Sequence, residues 1–252
     1  MRYKFIIQVV VFLLALIHAP LKSQSNAKEI VKKAEDKMRG NSSFAEVTIK
    51  IVRPTWEREM KMKTWSKGRK HSLIYVVSPQ KDKGTVFLKR DKEVWNYIPS
   101  IERNIKLPPS MMSQSWMGTD FTNDDLVKEA SAEDDYSHQL LGDSVIDGRT
   151  CHKILMIPNA DASVVWSKVL VWIDKKDYLQ LRAEFYDEDN SMVNVMMAGD
   201  IKLLGGRLLP AKMEMIPMDK KGHKTILIYD QLKFDIALDE SFFTTQNMKM
   251  VK

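Results

Sequence analysis

The side chains able to do chemistry are few and scattered. The chain has one cysteine and five histidines. Cys151-His152 is its one adjacent pair of soft metal ligands. On a strand, neighbouring side chains point to opposite faces, so these two would not converge on one ion. His71, His138 and His223 stand far apart. Asp124-Asp125 could serve as a carboxylate pair, but acids at the start of a helix also complement its dipole and cap its amides. There is no G-x-S-x-G elbow, no Walker A loop and no H-E-x-x-H motif. The chain therefore reads as a protein without catalytic residues, metal or cofactor. Arg103 and Lys106 are a different matter. Such cations could bind a head group or carboxylate, or latch a lid; equally, they could be edge charges that blunt strand pairing.

Those two cations sit inside the most informative stretch. Glu93-Val-Trp95-Asn-Tyr97-Ile-Pro99 reads as an aromatic strand. After Arg103 and Lys106 comes Ser110-Met-Met-Ser-Gln-Ser-Trp116-Met-Gly118-Thr-Asp120-Phe121, with no charge before Asp120. Met111, Met112, Trp116, Met117 and Phe121 follow no strand or long-helix period. A segment so apolar must be buried or must cover something apolar, so these five are candidate cavity or lid residues. Trp95 and Tyr97 share a face of one strand and are candidate cavity-wall residues, with cross-strand packing as the simpler alternative. Arg103 is the candidate polar rim or latch. Methionine elsewhere (Met60, Met62, Met192, Met196, Met197, Met213, Met215, Met218) suits an irregular apolar space, or plain core filling.

The order W-x-Y-x-P, then Arg103, then S-x-M-G-[ST]-D-F-x-x-[DE]-D-L resembles the LolA-like family of outer-membrane lipoprotein-sorting proteins. The resemblance implies an incomplete antiparallel β-barrel with helices covering its concave face. It implies a periplasmic carrier that binds lipid or lipoprotein acyl chains in an apolar cavity and moves them between the inner and outer membranes. The implied partners are those chains, with an inner-membrane exporter and an outer-membrane acceptor. A sensory or regulatory module for envelope stress, built on the same half-barrel, is the alternative. Such regulators carry a further C-terminal domain, which has no counterpart after the last expected strand.

The elements that must position these residues are mostly strands. Asn26–Arg39 has Ile30, Val31, Ala34 and Met38 at helical spacing and ends at Gly40-Asn41, predicting one amphipathic helix. Thereafter the period is two: residues 45, 47, 49 and 51 are apolar between Glu46, Thr48 and Lys50. Turn signals such as Asp147-Gly148, Gly205-Gly206 and Asp219-Lys-Lys-Gly222 separate roughly ten to thirteen such strands, with long ones at 43–53, 57–67, 164–174, 191–204 and 223–235. This predicts a mainly β fold, one curled antiparallel sheet. Thr122-Asn-Asp-Asp125 predicts a capping box opening a short helix, with Leu126, Val127 and Ala130 apolar.

Residues 1–25 read as a secretory signal: Arg2 and Lys4, then an apolar run, then Ser23-Gln-Ser25 before cleavage. That leaves one domain over 26–252, a monomer in the periplasm. Removing Arg2, Lys4 and Lys22 lowers the net charge from +6 to +3. A mild positive balance suits anionic lipid surfaces, whereas an exported chain seldom meets nucleic acid. With one cysteine, no intrachain disulfide can form, so the core must hold the fold.

Overall fold

The computed structural model describes residues 19–128 and 132–251, with side chains for 26–127 and 132–251. Most of the expected leader, and Ala130, lie outside the described residues. Helix α1 runs from Ala19 to Arg39. It begins before the expected Asn26, so its first turns cross the expected cleavage point. Gly40 ends it at φ +66°, with its N–H donating to the Asp36 carbonyl at 2.9 Å. Among the described residues no helix is long and apolar enough to cross a membrane.

Thirteen strands follow. These are β1 (Ser42–Arg53), β2 (Trp56–Lys67), β3 (His71–Ser78), β4 (Val86–Arg90), β5 (Glu93–Ile98) and β6 (Arg103–Lys106). After a long connection come β7 (Tyr136–Ile146), β8 (Arg149–Pro158), β9 (Lys168–Asp174), β10 (Gln180–Tyr186), β11 (Met192–Leu204), β12 (Arg207–Pro217) and β13 (Lys224–Phe234). They form one open antiparallel sheet in the order β6-β5-β4-β3-β2-β1-β13-β12-β11-β10-β9-β8-β7. Every ladder joins consecutive strands except β1 with β13, which pair from Ser43↔Phe234 to Val52↔Lys224. The two edges, β6 and β7, are thus neighbours in sequence, joined by residues 107–135.

The alternation of β1 is realised as expected. Ala45, Val47, Ile49 and Ile51 are all buried in the main core, opposite Met60 and Met62 of β2. One expected strand is shorter than its pattern. Residues 164–167 precede β9 because Ser167 turns there, its amide donating to the Tyr186 carbonyl at 3.0 Å. Trp166 therefore obeys no strand parity with Trp172. It joins a cluster with Ala27, Ile30, Val31 and Ala34 of α1, while Trp172 lies under Lys153 and Arg182 in the main core.

From β3 to β5 the sheet is buried on both sides. Ile74, Phe87 and Val94 face the main core. Leu73, Tyr75, Val86 and Leu88 face the other way, under Phe243 and Met248 of the C-terminal segment. A strand covered on both faces loses its polar alternation, and β3 reads His-Ser-Leu-Ile-Tyr-Val-Val-Ser with five consecutive buried residues.

Candidate functional site

The inner side of the sheet, α1 and the 107–135 connection enclose a cavity of about 400 Å³. Ala34 and Met38 of α1 line it on one side, and Val47, Met62 and Ile74 of β1–β3 on another. Met196, Met213 and Met215 of β11 and β12 complete the wall opposite, with Val171 and Phe185. A space of this size falls within the range of small-molecule sites, about 300–1,000 Å³. Six methionines in the lining, with Met156 of β8 the sixth, give it walls that re-shape at low cost. Met62, Met196, Met213 and Met215 were visible in the sequence as strand methionines. What was missing was the sheet order, which brings β2 and β11–β12 to one chamber.

The acids around this chamber are tied down. Thr122 and Asp125 form the expected capping box: the Thr122 amide donates to Asp125 Oδ2 at 2.8 Å and the Asp125 amide to Thr122 Oγ1 at 3.1 Å. It opens a single π-helical turn, Asp124–Lys128. Asp125 Oδ1 also accepts from Trp166 Nε1 at 2.9 Å. Burial pushes the Asp125 carboxyl up from its ordinary value, against the bonds from Trp166 and Thr122 that favour the ionised form. Glu35 of α1 also lines the chamber. Burial raises its carboxyl too, opposed by Arg39 and Arg69, and it accepts from the amides of Ala132 and Glu133, each at 3.2 Å. Arg69 reaches Glu35 at 3.5 Å and Asp36 at 3.0 Å and also bonds Glu133, tying the β2–β3 turn to α1 and to the end of the connection.

The candidate residues divide sharply. Phe121 lines the chamber. Met112 and Trp116 are buried in the main core beside it, and Met111 and Met117 lie against that core half-buried. None of these four is in the chamber lining. Trp116 is fully buried, its ring centroid 5.5 Å from that of Phe87. The segment is thus a plug wedged between β4 and the chamber. Its apolar residues lack a period because they fill irregular space, not because they are exposed.

Trp95 and Tyr97 do not wall this chamber. On β5 it is Val94 that faces the main core, so the residues of opposite parity face outward, onto the cluster beneath the C-terminal segment. Arg103 takes the position of the alternative reading, an edge charge. It is exposed on the edge strand β6, and its side chain has no hydrogen bond or ion pair among the described residues. Lys106 bonds Glu93 of β5 across the edge ladder.

The bidentate pair that fastens the segment comes instead from β1. Arg53 Nη1 and Nη2 reach Asp120 Oδ2 and Oδ1 at 2.9 and 3.1 Å, and Nη2 also donates to the Gly118 carbonyl at 3.1 Å. Thr225 of β13 donates to Asp120 Oδ2 at 2.7 Å and accepts from the Asp120 amide at 2.9 Å. Arg58 of β2 donates to the Met117 carbonyl. Asp120 belongs to the motif, so half of this latch was on view; its partner was not, being fixed only by the end of a distant strand.

A second cavity of about 420 Å³ lies beyond Phe121. Polar side chains such as Ser113, Thr119, Asn194 and His223 line it together with Phe121, Trp166, Val193 and Pro217. Phe121 and Trp166 line both cavities.

This architecture recurs in solved structures. A DUF1329 family protein from Desulfovibrio piger matches with a TM-score of 0.82 at 22% identity, covering 90% of this chain and 99% of its own. A domain from Vibrio parahaemolyticus, described as a candidate outer membrane lipoprotein-sorting protein, matches at 0.80 and 22% identity with the same coverage. A LolA superfamily protein from Nitrosomonas europaea matches at 0.77 and 25% identity, covering 88% of this chain and 98% of its own. No curated protein matches the sequence. Residues 68–250, well over half of the chain, match the model of a family described as "Uncharacterized protein"; the chain belongs to that family and has the LolA fold that its 93–127 motif resembles.

Proposed function

We propose that this protein is a carrier that shelters acyl chains of lipids or lipoproteins in the apolar chamber while they pass between membranes. The observation that carries the reading is the chamber itself: about 400 Å³ of space beneath an apolar wall rich in methionine. Each methylene moved there from water is worth roughly 0.8 kcal/mol, so a saturated chain is held without any specific polar contact. A carrier must also give up its cargo, and flexible Met side chains grip less rigidly than a fixed aromatic slot. The likeness to lipoprotein-sorting structures supports the same reading.

In this role Phe121 is the movable wall, with Met111, Met112, Trp116 and Met117 as the plug behind it and Arg53–Asp120 as its fastening. The leader over residues 1–25 directs the chain to the periplasm, where residues 26–252 act as one domain. A membrane exporter and an outer-membrane acceptor are the partners this role requires.

The test is direct. Purified protein should yield lipid or fatty acid on solvent extraction and mass spectrometry, and should take up the neutral dye Nile red. Met196→Trp, which fills the chamber from β11, should reduce dye uptake while leaving the circular dichroism spectrum unchanged. Undiminished uptake in that variant, with no extractable lipid from the wild type, would reject the carrier reading.

A further inference from the structure

Charge divides the molecule along the β1–β13 seam. By sequence, β1–β6 with their turns, residues 42–107, carry 15 lysines and arginines against 7 acids, a net charge of +8. Residues 108–252, which supply β7–β13, carry 16 against 23, a net charge of −7. The sheet order keeps the two sets apart: β6 to β1 lie on one side of the seam and β13 to β7 on the other. The C-terminal segment over β3–β5 brings Asp239, Glu240 and Lys249 to the basic side, which removes one positive charge. The modest charge of the whole chain therefore hides a strong polarity.

Pairing does not consume the excess. On the basic side Asp91 meets Lys70 at 3.6 Å, Glu93 bonds Lys106, and Glu59 meets Lys50 and Lys61 at 3.6 and 3.9 Å. Lys81, Lys83, Arg90, Lys92 and Arg103 are exposed, and their side chains have no hydrogen bond or ion pair among the described residues. Against these five stand Glu57 and Glu102 as exposed acids of that side in the same condition. The β2–β3 and β4–β5 turns are joined, the Asp91 amide donating to the Lys70 carbonyl at 2.7 Å. Just before the first of them, half-exposed Ser66 of β2 lines the chamber.

Resting on the carrier reading above, we propose that the β2–β6 side of the sheet docks on an anionic phospholipid surface, with the acidic β7–β13 side turned toward water. Its unpaired cations are spread over the β3–β4 and β4–β5 turns and the edge strand β6. Anionic lipids diffuse and gather beneath cations placed in this way, each cation adding a similar attraction. A protein partner is held instead through a few buried aromatic or arginine anchors set in pockets. The exposed large apolar side chains of this side, Trp56, Ile101 and Ile105, stand on three separate segments and form no such centre. The same polarity turns the molecule as it approaches the surface, before contact.

The experiment is co-sedimentation of the purified protein with phosphatidylcholine vesicles, prepared with and without phosphatidylglycerol. Binding should require phosphatidylglycerol and should fade as salt is raised. Lys83→Glu, Lys92→Glu and Arg103→Glu together should weaken it at least about tenfold. Lys176→Glu, Lys220→Glu and Lys221→Glu make an equal change in net charge at exposed positions of the acidic side, and should weaken it far less. Both triple variants should take up Nile red as the wild type does, which shows the chamber intact. Equal loss in the two variants would assign binding to net charge alone and overturn the inference. Binding that ignores phosphatidylglycerol overturns it too, as does absence of vesicle binding, which leaves the basic side to an acidic protein. These outcomes leave the carrier reading standing, because dye uptake is read separately. Loss of dye uptake with vesicle binding retained rejects the carrier reading and not the docking surface.

Discussion

Arg53 grips Asp120 through both guanidinium nitrogens, at 2.9 and 3.1 Å, across 67 residues of sequence. The pair is nearly dry, the Arg53 and Asp120 side chains being 10% and 6% exposed. Removing one partner of such a pair strands the other charge. Asp120→Ala should lower the free energy of unfolding by about 3 kcal/mol or more, read by urea titration. Arg53→Met combined with Asp120→Leu should be less damaging than Asp120→Ala alone, because no charge is left buried. A loss in the single variant below about 1 kcal/mol would show the pair to behave as a surface bridge.

The plug makes a second prediction. Trp116 is fully buried, and its indole N–H has no partner. Trp116→Ala should cost about 3–5 kcal/mol through lost contacts and an unfilled void. Trp116→Phe should cost far less, since it keeps a ring against Phe87 and removes an unsatisfied donor. Equal losses in the two variants would contradict this account.

Acid should weaken the fold through His138. Its ring is buried, and Nε2 meets the Ala132 carbonyl at 2.6 Å. Burial, with a smaller effect from Lys28, lowers its pKa from the ordinary 6.5, against the Ala132 bond and Glu133, which raise it. The unfolded chain therefore binds the proton more readily than the folded one. The stabilising contribution is full above the unfolded value of 6.5 and is lost as pH falls through the lowered folded value. His138→Gln should be less sensitive to acid than the wild type when unfolding free energies are compared from about pH 8 to about pH 5. Parallel curves would exclude His138 as a contributor.

Gly205, in the turn between β11 and β12, should tolerate no side chain. Its φ is +56°, and a Cβ there would stand 2.9 Å from the Leu232 carbonyl oxygen and 2.8 Å from the Phe234 ring. The ring could shift; the backbone oxygen, in the β1–β13 ladder, could not. Gly205→Ala should cost more than about 1 kcal/mol. The neighbouring Gly206→Ala should be milder, since φ there is +79° but the space is open. Thermal melts of the two variants would separate strain from collision.

How much of this was legible depended on burial. Where one face of a strand is wet, as in β1 and β2, the alternation of apolar and polar residues identifies the inward side chains. Where both faces are covered, as in β3 to β5, parity still holds but hydropathy cannot say which face is which. For Trp95 and Tyr97 a cavity wall and cross-strand packing both stayed open for that reason, and the C-terminal segment that covers them announces itself only through Phe242, Phe243 and Met248. The Met111–Phe121 stretch was recognisably special, yet its composition is equally that of a lid and of a plug. Only the Arg53–Asp120 and Arg58–Met117 contacts, made by hairpin residues far away in sequence, distinguish them. Thr122–Asp125, by contrast, was readable because a capping box is local.

The single non-consecutive ladder, β1 with β13, has a consequence for assembly. All other pairings are hairpins between successive strands, which close over short loops in microseconds. The chain is therefore two separate meanders, β1–β6 and β7–β13, that can each form before they meet. Their union is the non-local step, marked by contacts such as Thr48 Oγ1 to Asp230 at 2.6 Å, 182 residues apart. Contacts at such separation carry the loop-closure entropy and slow folding. The seam runs through the middle of the finished sheet, while the free edges arise mid-chain on either side of the 107–135 connection. Zipping the seam is what brings Arg53 and Thr225 side by side, so the clasp on Asp120 exists only once the two meanders have joined.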